Sequence, residues 1–168
     1  MDYRKLLATG FGDGTAWTQF FGEVAEDLQM VTNSYHRRLD EDNKCDTSDA
    51  EDEATCKALA DALKADYNAH RVLTSVHFTE DSTNDVDSSE ASTMSACVTL
   101  ANELKADFNA HLEDTGHVFD DESNEVKTAN ASGGDDAERI AACIPLLNEI
   151  KTNFNAHLES RWTKAKTE

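Results

Sequence analysis

Three near-identical stretches that end in Asn-Ala-His decide the fold of this chain. They read LKADYNAH at residues 63–70, LKADFNAH at 104–111 and IKTNFNAH at 150–157. An internal repeat predicts one supersecondary unit per copy, because a single copy cannot bury its apolar face alone. A catalytic constellation usually occurs once in a chain. A motif that occurs three times therefore indicates packing rather than an active site.

Each stretch follows a cysteine at the same distance, and apolar residues lie between them at helical spacing. Counted from the cysteine, apolar residues fall at offsets of 3, 4, 7 and 11, and a histidine falls at offset 14. Steps of three and four place all of these positions on one face of an α-helix. The predicted core of the repeats includes Cys56, Leu63 and His70, then Cys97, Leu104 and His111, and then Cys143, Ile150 and His157.

Capping-box sequences precede each of these faces. They pair Ser48 with Glu51, Asp87 with Glu90 and Asp135 with Glu138. In such a pair the first side chain and the acid satisfy backbone N–H groups at the helix start. We therefore expect helices over about residues 49–71, 88–113 and 136–160. Pro145 lies inside the third helix and removes a backbone donor, so we expect a kink there or a restart near residue 144.

The segments between the helices repeat as well. The connectors that begin at His77 and His117 share a histidine, an acid, an asparagine and a valine at equal spacing. We interpret them as ordered connections whose Asn and Asp side chains bond their own backbone. Connectors of about 16 residues are long enough to return along a helix, which permits parallel neighbours. We slightly favour a parallel arrangement over an up-down bundle.

The expected fold is therefore all-α, a helical bundle of three to four long helices from an internal repeat of about 41–46 residues. The first copy would be degenerate, with Tyr35 in place of the histidine. The predicted division is an N-terminal arm at 1–14, a degenerate repeat at 15–47, repeats at 48–86 and 87–134, a half repeat at 135–160 and a C-terminal tail at 161–168.

Composition restricts the classes of function. The chain has 34 acidic and 15 basic residues and a net charge of −19, which argues against binding to nucleic acid. No apolar run approaches the roughly 20 residues of a membrane helix, and the first residues do not resemble a secretory signal, so we expect no membrane partner. The sequence contains no nucleophile motif, phosphate-binding glycine loop or dinucleotide fingerprint. We therefore expect a protein that is not an enzyme and uses no cofactor.

The histidines and cysteines admit two interpretations each. We expect each repeat histidine to end its helical face and bond a backbone carbonyl, with no acid beside it; a shared metal site is the alternative. Because no Cys-x-x-Cys pair occurs, we expect Cys56, Cys97 and Cys143 to pack in the core rather than bind metal or form disulfides. Cys45 lies in an acidic loop and is expected to be the most exposed of the four cysteines. The sequence does not decide whether it forms a disulfide with Cys56 or with another chain. We interpret that loop as solvated surface rather than a calcium site.

The run LANELKADFNAH at 100–111 and the connector HVFDDESNEV at 117–126 resemble repeats in small proteins encoded by tailed bacteriophages. The resemblance covers residues 54–160 and brings no catalytic residues. It implies a virion structural or accessory protein, made in the host cytoplasm and docked on the capsid, neck or tail, in several copies or as a homo-oligomer. The alternatives are a histidine-based metal-binding protein and an acidic inhibitor or DNA mimic that acts on a basic host protein.

Aromatic and basic residues near the two termini are the predicted docking contacts. Such residues are over-represented among interface hot spots, because they bury much area and keep a polar group. The alternative is that Trp17 and Phe20 close the helical core. The predicted contacts are Phe11, Trp17, Phe20, Arg161 and Trp162.

Overall fold

The computed structural model describes residue 36 and residues 39–77, 79–113 and 121–159. All of them belong to one compact unit, Tyr35–Arg161. They form three α-helices, α1 (Glu53–Arg71), α2 (Met94–Leu112) and α3 (Asp136–Leu158), and a short 3-10 helix, Glu122–Asn124. No strand occurs among the described residues, so the all-helical expectation is confirmed for this part of the chain. Each helix packs against both of the others.

Two of the three expected helix caps were wrong. The first helix begins after Asp52, whose carboxylate accepts a hydrogen bond from the Thr55 backbone, and the second begins after Thr93. Both lie four to six residues beyond the predicted caps Ser48 and Asp87, because the intervening residues remain part of the connectors. Asp135 caps the third helix as expected and accepts a hydrogen bond from the backbone of Glu138.

The three helices run in the same direction. Tyr67, Phe108 and Phe154 meet near their C-terminal ends, with ring centroids 5.9–6.2 Å apart. Cys97 and Cys143 contact each other nearer to the N-terminal ends, and Leu63, Leu104 and Ile150 are buried in between. Since equivalent positions meet in the same order along all three helices, the described bundle is parallel. One end of the described bundle therefore brings the same position of every helix together.

Asparagine side chains hold each connector against the preceding helix around the bundle. Each carboxamide accepts a hydrogen bond from a connector backbone N–H and donates one to the carbonyl of the same residue, at 2.9–3.1 Å. The pairs are Asn68 with Val86, Asn109 with Val126 and Asn155 with Cys45. The segment before α1 thus lies along α3 and closes the bundle.

One further expectation was wrong, and another was contradicted in part. Cys45 is buried rather than exposed, because its backbone is bonded to Asn155 and its side chain enters the core. All four cysteines are free thiols. Of the two outcomes expected at Pro145, a restart near residue 144 does not occur, because α3 continues through the proline. No described helix has the length and apolar character that crossing a membrane would require.

Candidate metal centre

The last histidine of each helix lies on the bundle axis. The ring centroids of these three residues form a nearly equilateral triangle, with sides of 5.3–5.4 Å, and all three side chains are buried. The parallel fold brings them together, because each occupies the same offset on its helix. The three are His70, His111 and His157.

A buried carboxylate orients each of these rings, which contradicts the expectation that no acid lies beside them. Each aspartate comes from the connector that precedes the histidine's helix, and its Oδ2 lies 2.8–3.0 Å from the ring Nδ1. With Nδ1 facing the carboxylate, Nε2 is the ring nitrogen that would bind an ion. The pairs are Asp40 with His70, Asp81 with His111 and Asp121 with His157.

Each aspartate also connects two helices. Its backbone N–H donates to a carbonyl at the C-terminal end of a different helix from the one that carries its histidine. The N–H of Asp81 donates to the carbonyl of Arg71 in α1, and the N–H of Asp121 donates to the carbonyl of Leu112 in α2. The backbone nitrogen of Asp40 lies 3.4 Å from the carbonyl oxygen of Leu158 in α3. The three aspartates therefore join the C-terminal ends of the helices in a closed ring.

Local hydrogen bonds fix the aspartate side chains. The side-chain amides of Asn43, Asn84 and Asn124 donate to the three carboxylates at 2.7–2.8 Å. Burial raises the pKa of Asp81, but hydrogen bonds from His111 and from the backbone N–H groups of Thr83 and Asn84 outweigh it. The pKa of Asp81 therefore lies well below its usual range, and this carboxylate is ionised although it is buried.

Two connector histidines form a second layer beside the first. The His36 ring lies 4.4 Å from that of His157 and 5.3 Å from that of His70. The His77 ring lies 4.5 Å from that of His70 and 5.0 Å from that of His111. Each connector histidine therefore sits between two helix histidines.

Sequence reasoning missed this layer, although a signal was present. His36 and His77 both begin a His-x-x-x-Asp-x-x-Asn motif, and the same motif begins at His117, which lies outside the described residues. The sequence comparison aligned only the later two connectors. His36 was therefore not predicted, and Tyr35 beside it was aligned with the helix histidine His70 instead.

Four of the histidines can offer a nitrogen each to one ion. The ligand atoms of His36, His70, His77 and His157 all lie within 4.8 Å of one another, and all four side chains are buried. Nε2 of His36 and Nε2 of His157 are 3.1 Å apart. A histidine that binds a metal commonly donates its other ring N–H to a carboxylate, which is the arrangement seen at His70 and His157.

The cysteines form no comparable site among the described residues. Burial raises the pKa of the Cys56 thiol to about 11. A hydrogen bond with Cys143, together with burial, raises the pKa of the Cys97 thiol. Since the thiolate is the form that binds metals and attacks electrophiles, protonated thiols of this kind act as core packing.

The residues predicted from the repeat are brought together, whereas the predicted docking residues are not described. Cys56, Leu63 and their counterparts on α2 and α3 are all buried. Phe11, Trp17, Phe20, Arg161 and Trp162 lie outside the described residues.

Comparisons of this chain with protein-family models, with curated proteins and with solved structures give no match.

Proposed function

We propose that this chain is a non-enzymatic structural protein whose histidine centre binds a divalent transition-metal ion. The ion would join the C-terminal ends of α1 and α3 to two connectors. The single observation that carries this proposal is the buried four-histidine cluster, whose ligand atoms lie within 4.8 Å of one another. Imidazole nitrogen is a good ligand for zinc, copper, iron and nickel.

The buried carboxylates favour a cation at this place. The side chains of Asp40, Asp81 and Asp121 are at most 2% exposed, and all three point at histidines of one cluster. Burying charge is costly unless an opposite charge compensates for it. A divalent ion held by neutral imidazoles supplies that charge and keeps each Nδ1–H bonded to its aspartate.

A bound ion would act mainly on stability. The ligands come from α1, α3 and two connectors, so they meet only in the folded chain. An ion that binds the folded state alone stabilises it by about 4 kcal/mol at a concentration 1,000 times its dissociation constant. The centre therefore supports a structural role, in which the bound ion stabilises the folded chain.

Elemental analysis tests the proposal directly. The full chain should be expressed without a histidine tag and dialysed against buffer that contains trace amounts of these metals. After removal of unbound metal, it should contain about one ion of nickel, cobalt, iron, copper or zinc per chain. His70→Ala should lose the ion, whereas Cys56→Ala, which changes the core away from the centre, should retain it. Metal-free protein that takes up no ion on titration would contradict the proposal.

We further propose that the biological setting is a bacteriophage virion, with the chain docked on the capsid, neck or tail in several copies. The resemblance of the repeats to small phage proteins supports this. A second support is that the recurring residues serve the architecture: the asparagines hold connectors and the aspartates hold histidines. The repeat origin of the three units and a fourth, degenerate copy at 15–47 belong to the same proposal.

Mass spectrometry of purified particles tests this setting. The protein should appear among the particle components at a fixed copy number and withstand a salt wash. Its absence from particles, together with its presence in infected-cell lysate, would exclude a virion role and leave the metal-binding proposal intact.

A further inference from the structure

We infer that the histidine centre is built for a six-coordinate ion rather than for tetrahedral zinc. This inference rests on the proposed function, since it concerns the coordination of the same ion. It assigns the centre to divalent first-row metals that accept octahedral nitrogen coordination, namely Ni²⁺, Co²⁺ and Fe²⁺.

The first argument is the arrangement of the five described histidines in two staggered layers. The helix layer contains His70, His111 and His157, and the connector layer contains His36 and His77. Eight pairs of rings lie at 4.4–5.4 Å. An octahedron with one vertex removed has eight edges, and these eight pairs reproduce them. The two remaining pairs, His36 with His111 and His77 with His157, then occupy opposite vertices.

The second argument is the separation between the layers. An ion about 2.1 Å from each nitrogen places neighbouring ring centroids about 4.6 Å apart in an octahedron and about 5.3 Å apart in a tetrahedron. The four separations between layers are 4.4 Å for His36 with His157, 4.5 Å for His70 with His77, 5.0 Å for His77 with His111 and 5.3 Å for His36 with His70. The two shortest are closer than neighbouring ligands of a tetrahedral ion, and the mean of the four also lies below the tetrahedral value.

One pair of ligand atoms agrees with the octahedral spacing. Neighbouring nitrogens bound at about 2.1 Å lie about 3.0 Å apart in an octahedron and about 3.4 Å apart in a tetrahedron. The Nε2 atoms of His36 and His157 lie 3.1 Å apart. This pair already has the spacing of adjacent octahedral ligands.

The chemistry of the donors narrows the ion. The described cluster offers imidazole nitrogen and no thiolate, and its carboxylates face Nδ1 atoms. Hard ions such as Mg²⁺ and Ca²⁺ prefer oxygen, and soft ions prefer sulfur. Ni²⁺, Co²⁺ and Fe²⁺ combine imidazole ligands with octahedral geometry. The sixth position, opposite His70, is not taken by a described residue and would hold water or another donor.

The helix layer by itself defines the competing geometry. Its sides of 5.3–5.4 Å match one face of a tetrahedral site with three histidines and a water. This three-histidine site and the octahedral site differ in whether His77 is a ligand. A tetrahedral site of His36, His70, His77 and His157 would also use His77, and it differs from the octahedral site in leaving out His111.

Cobalt spectroscopy of the full chain separates the two. Metal-free protein loaded with one equivalent of Co²⁺ should show the weak visible absorption of a six-coordinate ion. Intense absorption, which is typical of tetrahedral Co²⁺, would overturn the octahedral assignment while leaving metal binding intact. Absence of Co²⁺ uptake would overturn both. A thiolate charge-transfer band that disappears in Cys97→Ala would place the ion at the cysteines and also overturn both.

A ligand variant gives an independent measurement. His77→Ala should lower the affinity for Ni²⁺ at least about tenfold, judged by isothermal titration. Cys97→Ala is the matched control in the buried core and should leave Ni²⁺ affinity unchanged. Circular dichroism must show that both variants keep their helical content. An unchanged Ni²⁺ affinity in folded His77→Ala would overturn the octahedral site.

Discussion

Asp40 accepts a hydrogen bond from His70 across 2.8 Å, although 30 residues and the whole of α1 up to its last turn separate them. The backbone nitrogen of Asp40 also contacts the carbonyl of Leu158 at the end of α3. Asp40 therefore links α1 to α3 and completes the ring of contacts that Asp81 and Asp121 make between the other helices. The two later aspartates repeat the contact with their own histidines. The end of the bundle is thus one polar unit, and a change at any one pair should be felt at all three helices.

Asp40→Asn should destabilise the metal-free protein by about 1.5–3 kcal/mol, because it replaces a buried hydrogen bond to a charged group by one to a neutral carboxamide. It should also weaken metal binding about 10–100-fold, because the carboxylate orients a ligand. Urea unfolding in the presence of chelator measures the first effect, and metal titration measures the second.

Asp49→Asn is the control for this change. Asp49 pairs with Lys151 at 2.7 Å, but its side chain is 65% exposed. Exposed pairs contribute about 0–1 kcal/mol. If both variants lose the same stability, the ring of aspartates has no special role.

Leu104→Ala should cost about 2–5 kcal/mol, because Leu104 is fully buried in the layer with Leu63 and Ile150. Val72→Ala, at an exposed residue after the end of α1, should change stability by less than about 0.5 kcal/mol. Thermal and urea unfolding of the two variants provide the comparison. An effect near zero at Leu104 would mean that this face of α2 is not packed.

The helical periodicity predicted the core, because apolar residues at steps of three and four share one face of a helix, and a bundle buries that face. The same pattern carried the histidines, and it placed His70 on the buried face of α1. Helix starts were harder to predict. A Ser or Asp followed three residues later by Glu recurs in so acidic a chain, and the connectors continue past Ser48 and Asp87 before the helices begin.

The acids of the centre could not be derived from helical periodicity, because Asp81 and His111 lie in different elements. Their contact depends on the path of a connector, which is set by tertiary hydrogen bonds such as those of Asn68 with Val86. The local part of the connector prediction is confirmed at Asp81, whose carboxylate accepts hydrogen bonds from the backbones of Thr83 and Asn84. The contact of the Asp81 carboxylate with the ring of His111, 30 residues away, could not be predicted from the sequence of that turn.

Asn109→Ala should release the connector that follows α2. Its carboxamide donates to the carbonyl of Val126 at 3.1 Å and accepts from the N–H of the same residue at 2.9 Å. Leaving buried backbone groups unsatisfied costs about 1–3 kcal/mol for each group. Hydrogen exchange should show faster exchange of the Val126 amide. Asn153→Ala, which removes one exposed hydrogen bond to Glu125, should leave that amide protected.

Asp107→Asn should stabilise the protein at pH 7. Burial, then repulsion from Glu103, Asp81, Asp85 and Asp87, raises the pKa of Asp107 to about 6. Between the unfolded pKa near 3.8 and the folded pKa near 6, the folded state holds more protons than the unfolded state. Stability therefore falls as pH rises through this window.

The gain in Asp107→Asn should be largest above pH 6 and should vanish below about pH 4. Urea unfolding at several pH values measures it. Asp46→Asn removes the same charge from an exposed part of the connector before α1 and controls for the general relief of repulsion in a chain of charge −19. Equal gains in the two variants would assign the effect to net charge alone.

Deletion of residues 1–14 or 161–168 should abolish incorporation into phage particles while the bundle stays folded. Phe11 lies in the first segment, and Arg161 and Trp162 lie in the second, whose lysines oppose the acidic character of the chain. Aromatic and arginine side chains dominate many interfaces, so loss of either segment should weaken docking. Circular dichroism establishes that each truncated protein is folded, and mass spectrometry of particles measures incorporation. If both truncated proteins incorporate normally, attachment must run through the connectors around His77 and His117 instead.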